Sequence, residues 1–464
     1  MEYVSTRGGA LPLPFEDVLL GGLARDGGLF VPATWPTVSA GEIRALADMD
    51  YATIAARTVR PFIDSELLDD SLLAKLARET YADFDHSDVA PLRQIDEDTW
   101  LLELFHGPTL AFKDFALQFL GRLFDYVLAR RGLRITIVGA TSGDTGSAAI
   151  EACRGRSNLD IFMLYPAGRL SEVQRMQMTT VDEENVHNIA VGGTFDDCQD
   201  LVKALFADHE LRDELGLSAV NSINWARVMG QTAYYFAAAA RLGAPDEAFT
   251  FVVPTGNFGN VYSAYVAHRM GLPISKLVVA SNRNDILYRF FAEADMSIAE
   301  VEPSLSPSMD IQVSSNFERL MFDLMGRDGA AVETAMRTFR NDGVLPGATQ
   351  IHEDSCYLFE GQRIDDDETL AVIHDVYTNT GILLDPHSAV GVGAARKTAR
   401  DGCRRIVLAT AHPAKFPDAV SRATGERPPL PQHLSDLLER PETSTFIEND
   451  VNVLRDFIRH HAAT

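Results

Sequence analysis

The period of the hydrophobic pattern changes along the chain, and the changes outline its parts. From residue 100, short apolar runs recur at strand length: 100–104, 134–140, 160–165, 186–191, 249–253, 277–280 and 405–410. Between them lie stretches whose apolar residues return every three or four positions, as a helix with one buried face requires: 115–131, 147 onward, 170–178, 195–211, 225–242, 260 onward, 285–294, 366–380 and 388–400. This alternation predicts parallel sheets covered by helices, an α/β fold. Residues 1–92 stand apart as a mostly helical unit broken at Pro32, Pro36 and Pro61. From 299 to 366 the alternation weakens around a proline-rich 303–307, with helices near 316–325 and 332–341, which predicts an insertion. The expected organisation is an N-terminal domain (1–92), a large α/β domain (93–123 and 240–464, carrying the insertion) and a small α/β domain (124–239).

A chain of 464 residues is too long for one small core, which agrees with this division. Its formal net charge of −25 argues against nucleic acid or an anionic membrane as a partner, and reads as a solvated surface. Cys153, Cys198, Cys356 and Cys403 are scattered without a CxxC pair, so neither a metal site nor a disulfide framework is expected. The N-terminus lacks an apolar signal core and no apolar stretch reaches membrane-spanning length. A cytoplasmic enzyme or binding protein is expected.

Chemistry enters with residues 105–114, FHGPTLAFKD, between a strand and a helix. Lys113 falls at the helix start, flanked by apolar Ala111, Phe112 and Phe115. A lysine is ordinarily a solvated surface charge. Here the apolar setting at a helix N-terminus disfavours the ammonium form, as an amine nucleophile needs. The chain also avoids lysine, having only Lys75, Lys113, Lys203, Lys276, Lys397 and Lys415 and otherwise using arginine. A guanidinium cannot form a Schiff base, so a site that needs an amine keeps its lysine.

Two glycine loops follow strands: Thr141-Ser142-Gly143-Asp144-Thr145-Gly146-Ser147 and Thr255-Gly256-Asn257-Phe258-Gly259-Asn260. Such loops either permit a tight turn or present backbone N–H groups to an anion at a helix N-terminus. Neither is a P-loop and neither has GxGxxG spacing, which disfavours an NTPase or a dehydrogenase. A buried lysine with two anion cradles suits pyridoxal phosphate (PLP): one cradle for the cofactor phosphate, the other for a substrate carboxylate.

The motifs HGPTLAFKD, TSGDTGSAA, NSINWARVMGQ, VPTGNFGN, MDIQVSSNFERL and TAHPAKF, with YVSTRGG and DGGLFVP near the N-terminus, closely resemble the threonine synthase family. The similarity runs from about Tyr3 to Phe416 and is greatest to the longer subgroup with an N-terminal domain and an internal insertion. The resemblance implies a fold-type II PLP enzyme of the tryptophan-synthase-β-like kind, with two α/β domains around the cofactor. It implies conversion of O-phospho-L-homoserine and water to L-threonine and phosphate, by γ-elimination and β-addition of water, the last step of threonine biosynthesis. By motif, Lys113 would carry the cofactor and shuttle protons. Gly256, Asn257, Phe258, Gly259 and Asn260 would cradle the cofactor phosphate, and Thr410 would hydrogen-bond the pyridine nitrogen. Ser142, Gly143, Asp144 and Thr145 would bind the substrate carboxylate. For the leaving phosphate the candidates are Ser314, Ser315, Asn316, Arg319 and Lys415. His106 and His412 read as structural. Asn224, Arg227 and Gln231 share helical spacing, so their polar face either lines the cleft or is solvated outside it. A monomer or homodimer is expected. A phospho-lyase of the same fold that releases 2-oxobutyrate, and a catalytically silent homologue acting as a binding protein, stay open as alternatives.

Overall fold

The computed structural model describes residues 1–462. Its larger sheet has the strand order Phe359–Arg363, Ile274–Ser281, Phe249–Pro254, Arg404–Ala409, Thr99–Glu103 and Leu92–Gln94. Neighbours are parallel except for the last pair, which is antiparallel. A second sheet, all parallel, runs Thr445–Glu448, Val186–Gly192, Leu159–Pro166, Ile135–Ala140 and Leu217–Ser218. Helices cover both sheets, so central strands read as continuous apolar runs; every residue of Leu159–Pro166 is buried. Helices begin where the sequence supplies a capping oxygen, as at Thr194 and Asp365, both of which form capping boxes.

The structure departs from the sequence reading in three places. The C-terminal segment, assigned on sequence to the large domain, belongs to the smaller sheet. Thr445–Glu448 pairs there with Val186–Gly192, and helix Val451–His461 buries Leu454 and Ile458 in the same core. A four-residue edge strand with Ile447 as its one buried residue leaves no periodic signal. Phe359–Arg363, read as part of the insertion, is instead an edge strand of the large sheet. The helix expected over 195–211 is interrupted at Asp208, which ends Phe195–Ala207 and caps His209–Leu215 through Leu211 N.

The N-terminal unit adds a small antiparallel sheet of Glu2–Ser5, Leu13–Pro14 and Phe30–Pro32 to its helices. It holds the start of helix Trp225–Arg241. The Trp225 ring packs against Tyr3, Phe62 and Trp35, and Asn224 Nδ2 donates to Leu19 O at 2.9 Å.

Three adjacent parallel strands, Phe249–Pro254, Arg404–Ala409 and Thr99–Glu103, end on one edge of the large sheet. The residues that follow them are the 255–260 loop, Thr410 and the turn leading to Lys113. Strand Ile135–Ala140 of the second sheet delivers the 141–147 loop in the same way. Carboxyl ends of parallel strands are where open α/β sheets place their ligands.

Candidate active site

Lys113 is the first residue of helix Lys113–Arg131 and is buried. The turn before it is fixed by Asp114, whose carboxylate accepts from Thr109 N at 2.8 Å and Thr109 Oγ1 at 2.6 Å. A Cβ on Gly107 would lie 2.6 Å from Asp114 Cβ, so only glycine fits there. Burial pushes the Asp114 carboxyl up to about 6, against the pull of those hydrogen bonds. Backbone bonds from Phe112 N to Thr410 O (2.9 Å) and His412 N to Leu110 O (3.0 Å) tie this turn to the end of the neighbouring strand.

Lys113 Nζ lies 3.3 Å from Asp144 Oδ2 and 5.0 Å from the centre of the Phe112 ring. Asp144 begins helix Asp144–Cys153 of the other sheet, so this pair joins the two α/β units. Asp144 also accepts from Gln174 Nε2 at 2.9 Å and Ser308 Oγ at 3.3 Å, and pairs with Lys415 Nζ at 3.1 Å. Burial pushes the Lys113 ammonium down; Asp144 opposes this, while Lys415 and Arg227 add to it. Burial opposes ionisation of Asp144, but Lys415 and Lys113 together hold its carboxyl well below the usual carboxylate range. The Asp144 carboxylate is therefore turned toward cations and donors. That resolves how an acid can stand in a loop read as an anion cradle.

Within that loop Thr141 Oγ1 accepts from Gly143 N at 2.9 Å and Gly146 N at 2.8 Å. Gly143, at φ 133°, adopts a conformation other residues rarely take. The hydroxyls of Ser142 and Thr145 have no protein partner among the described residues.

The second loop is braced by the insertion. Ser314 Oγ donates to Gly256 O (2.6 Å), Ser315 Oγ to Asn257 Oδ1 (3.2 Å), and Asn316 N and Nδ2 to Asn257 O (3.1 and 3.0 Å). Phe258 takes φ 63°, a strained value for a side-chain-bearing residue, and so directs the loop into helix Gly259–Arg269. A Cβ on Gly256 would stand 2.6 Å from Ser308 O, a backbone atom that cannot swing aside. Gly256→Ala is therefore expected to weaken cofactor retention by roughly 5- to 100-fold while leaving the fold intact. Titration of the cofactor-free variant with PLP, beside its circular dichroism, checks this; wild-type affinity would refute the cradle.

The side chains expected on the leaving phosphate all have partners within the protein. Arg319 is fully enclosed: Nε donates to Phe30 O at 3.0 Å, NH2 to Ile223 O at 2.6 Å, and NH1 bonds Asn316 Oδ1. Its guanidinium ties the N-terminal unit to the insertion and does not face the cleft. Ser315 and Asn316 are spent on the 255–260 loop. Lys415 is fully buried and bonds Thr109 O (2.6 Å), Gln177 Oε1 (2.9 Å) and Asp144. Asn224 and Gln231 are likewise engaged, the first capping its own helix and the second accepting from Ser263 Oγ at 3.2 Å. Arg227 is different. It is buried, has no acidic partner among the described residues, makes one long bond to Val220 O (3.5 Å), and its Nε is unpaired. Burial pushes its guanidinium down to about 10, and it acts electrostatically on Lys113.

Ser308, Gln174 and the pair Asp385–His387 were not singled out on sequence. His387 Nδ1 lies 2.8 Å from Asp385 Oδ1, and His387 Nε2 accepts from Ser308 N at 3.3 Å. The only local signal is Asp385 before Pro386, which reads as a helix cap and is one, accepting from His387 N and Ser388 N.

These residues fit the cofactor that the sequence suggests. Asn260 Oδ1 is held by Tyr234 OH (2.5 Å) and Tyr235 OH (2.7 Å), while its buried Nδ2 has no partner in a loop built to receive an anion. Thr410 N donates to Ser388 Oγ at 3.1 Å, and the Thr410 hydroxyl makes no hydrogen bond among the described residues. Lys113 supplies an amine that burial shifts toward its neutral form.

Three family models match the chain: "Threonine synthase N terminus" over residues 2–81, "Pyridoxal-phosphate dependent enzyme" over 88–409 and "Threonine synthase, C-terminal" over 388–458. A curated threonine synthase from Pseudomonas aeruginosa is 53% identical, with 99% of this chain and 98% of that protein aligned. The crystal structure of PLP-bound threonine synthase from Brucella melitensis superposes with a TM-score of 0.97 at 52% identity, covering 100% of both chains. That of threonine synthase from yeast gives 0.93 at 40% identity, covering 99% of this chain and 98% of its own.

Proposed function

From the premise that this chain belongs to the threonine synthase family of PLP-dependent enzymes, we propose that it converts O-phospho-L-homoserine and water to L-threonine and phosphate, with Lys113 at the reacting centre. The observation that carries the assignment of Lys113 is its place: a buried amine where the two α/β units meet, its proton affinity lowered by burial.

When bound, PLP supplies an electron sink for negative charge at the substrate Cα. The 255–260 loop and Asn260 Nδ2 would hold its phosphate, and the Thr410 hydroxyl its ring nitrogen. Lys113 Nζ is the base that takes the Cα proton and later delivers one to Cγ. Asp144 keeps Lys113 oriented and balances Lys415, so the amine can change charge without leaving the carboxylate unpaired. Ser142, Thr145 and the N–H groups of their loop would receive the substrate carboxylate. Arg227, a buried guanidinium without a counter-ion among the described residues, would receive the phosphate that leaves.

The test is to incubate the PLP-loaded protein with O-phospho-L-homoserine and measure phosphate, threonine and 2-oxobutyrate together. Equal phosphate and threonine are expected. Phosphate with 2-oxobutyrate would make the chain a lyase, and no phosphate would reject the substrate. Arg227→Met is expected to lower kcat/KM by roughly 10- to 200-fold, the loss of charge-assisted hydrogen bonds to a dianion. Unchanged kcat/KM would remove Arg227 from the phosphate site.

A further inference from the structure

Away from the residues assigned above, a cavity of about 200 Å³ opens between the end of strand Glu2–Ser5 and helix Gly329–Asp342. It is lined by Arg7, Glu333, Met336, Arg337, Arg340 and Asn341. Three guanidinium groups thus face one carboxylate. Arg7 is committed to Glu318, with Nε at 3.0 Å from Oε1 and NH2 at 2.9 Å from Oε2. Arg337 reaches Glu333 at 3.5 Å, an exposed pair of little strength. Arg340 has neither an ion pair nor a hydrogen bond among the described residues. Desolvation by the cavity wall and the positive charge of Arg7 push its guanidinium down, against the pull of Glu318.

Two carboxylates stand near the three arginines: Glu318, bound to Arg7 and acting on Arg340 from a distance, and Glu333, paired with Arg337, so the wall keeps an excess of positive charge and Arg340 has no direct ion pair among the described residues. The wall that brings the arginines together is also built closely. Gly8 packs on Gly329, where a Cβ would lie 2.5 Å from Gly8 N and 2.7 Å from Arg7 C. Backbone contact therefore fixes Arg7 against the helix that carries Arg337 and Arg340.

We propose that this cavity is a second anion site, for a small tetrahedral dianion: inorganic phosphate or a phosphate monoester. The planar fork of a guanidinium matches two phosphate oxygens at once, and Arg340 and Arg337 hold the dianion with that geometry. Arg7 contributes charge while keeping its bond to Glu318, and Asn341 offers an amide at the rim. The bound anion offsets the positive charge that Glu318 and Glu333 leave uncompensated at this wall.

The experiment is isothermal titration of the PLP-loaded protein with sodium phosphate, and separately with glycerol 1-phosphate, at ionic strength held constant with sodium chloride. Wild type is compared with the double variant Arg337→Gln/Arg340→Gln, both positions being exposed and outside the reacting centre. The expected result is that the variant binds one phosphate fewer than wild type. Its kcat/KM in phosphate-free buffer is expected to stay within about twofold of wild type, as for surface substitutions generally. Glycerol 1-phosphate that fills the lost site identifies a monoester ligand, and phosphate alone identifies the inorganic ion. Identical isotherms in the two proteins, no phosphate uptake by wild type, or a difference that chloride reproduces would overturn the proposal.

Discussion

Lys113→Ala is expected to fold as the wild type does and to make threonine at less than about one thousandth of the wild-type rate, the scale set by losing a positioned base together with the amine that carries the cofactor. The two halves of this result have separate causes. Activity is lost because no other amine can substitute: Lys415, the one nearby, is fully buried and bound to Thr109 O and Gln177 Oε1. Stability is kept because Asp144 is not orphaned. Without Lys113 it still has Lys415 at 3.1 Å, Gln174 at 2.9 Å and Ser308 at 3.3 Å. Removing a buried cation whose charged form burial already disfavours leaves only a modest packing loss, about 1–2 kcal/mol. The measurements are steady-state product formation and the denaturant midpoint. A variant that retains a hundredth of wild-type kcat would end the assignment of Lys113.

The α/β fold was legible in sequence, and so was the oddity of Lys113, for a specific reason. The strands and helices alternate with a clear period, Lys113 is a rare lysine in an apolar motif, and the glycines of the 255–260 loop mark its turn. The fate of Arg319 was not legible, because membership of a motif does not say where a guanidinium points. It points at Phe30 O and Ile223 O, the first of these far away in the chain. Lys415 was rightly marked as unusual, but its partner Asp144 lies 271 positions earlier and on the other sheet, a contact that no periodicity encodes. Ser308 escaped for the same reason: it stands in an irregular stretch, and its meaning comes from touching Asp144 and approaching Gly256. The C-terminal strand was hidden by its brevity, since Thr445–Glu448 has only Ile447 buried. What the sequence withheld were long-range polar pairings and the sheet to which short edge strands belong.

Asp144→Asn tests the most informative of those pairings. In the cofactor-free protein two buried ammonium groups, Lys113 and Lys415, share this carboxylate at 3.3 and 3.1 Å. The amide has the same shape and can still receive a hydrogen bond from Gln174, but it supplies no charge. Breaking a buried ion pair by removing one partner leaves uncompensated charge, at roughly 3–5 kcal/mol. The Asn variant is expected to lose that much stability at pH 7, read as a lower urea midpoint. The pH dependence follows from the direction of the shift. Burial alone would raise the Asp144 pKa, but the two lysines hold it well below the usual value. A carboxylate with a folded pKa below its unfolded value of about 3.9 stabilises fully above that value, and the contribution is lost as pH falls through the folded pKa. The gap between wild type and Asn variant should therefore be complete at pH 7 and narrow only below about pH 4. Asp144→Asn/Lys415→Met supplies the control, because removing both partners of a buried pair costs far less than removing one. The double variant is expected to recover more than about half of the loss. If the single variant is as stable as wild type at pH 7, or the double variant recovers nothing, the Asp144–Lys415 pair does not hold the two sheets together at the site, and the orientation of Lys113 must be sought in its own helix instead.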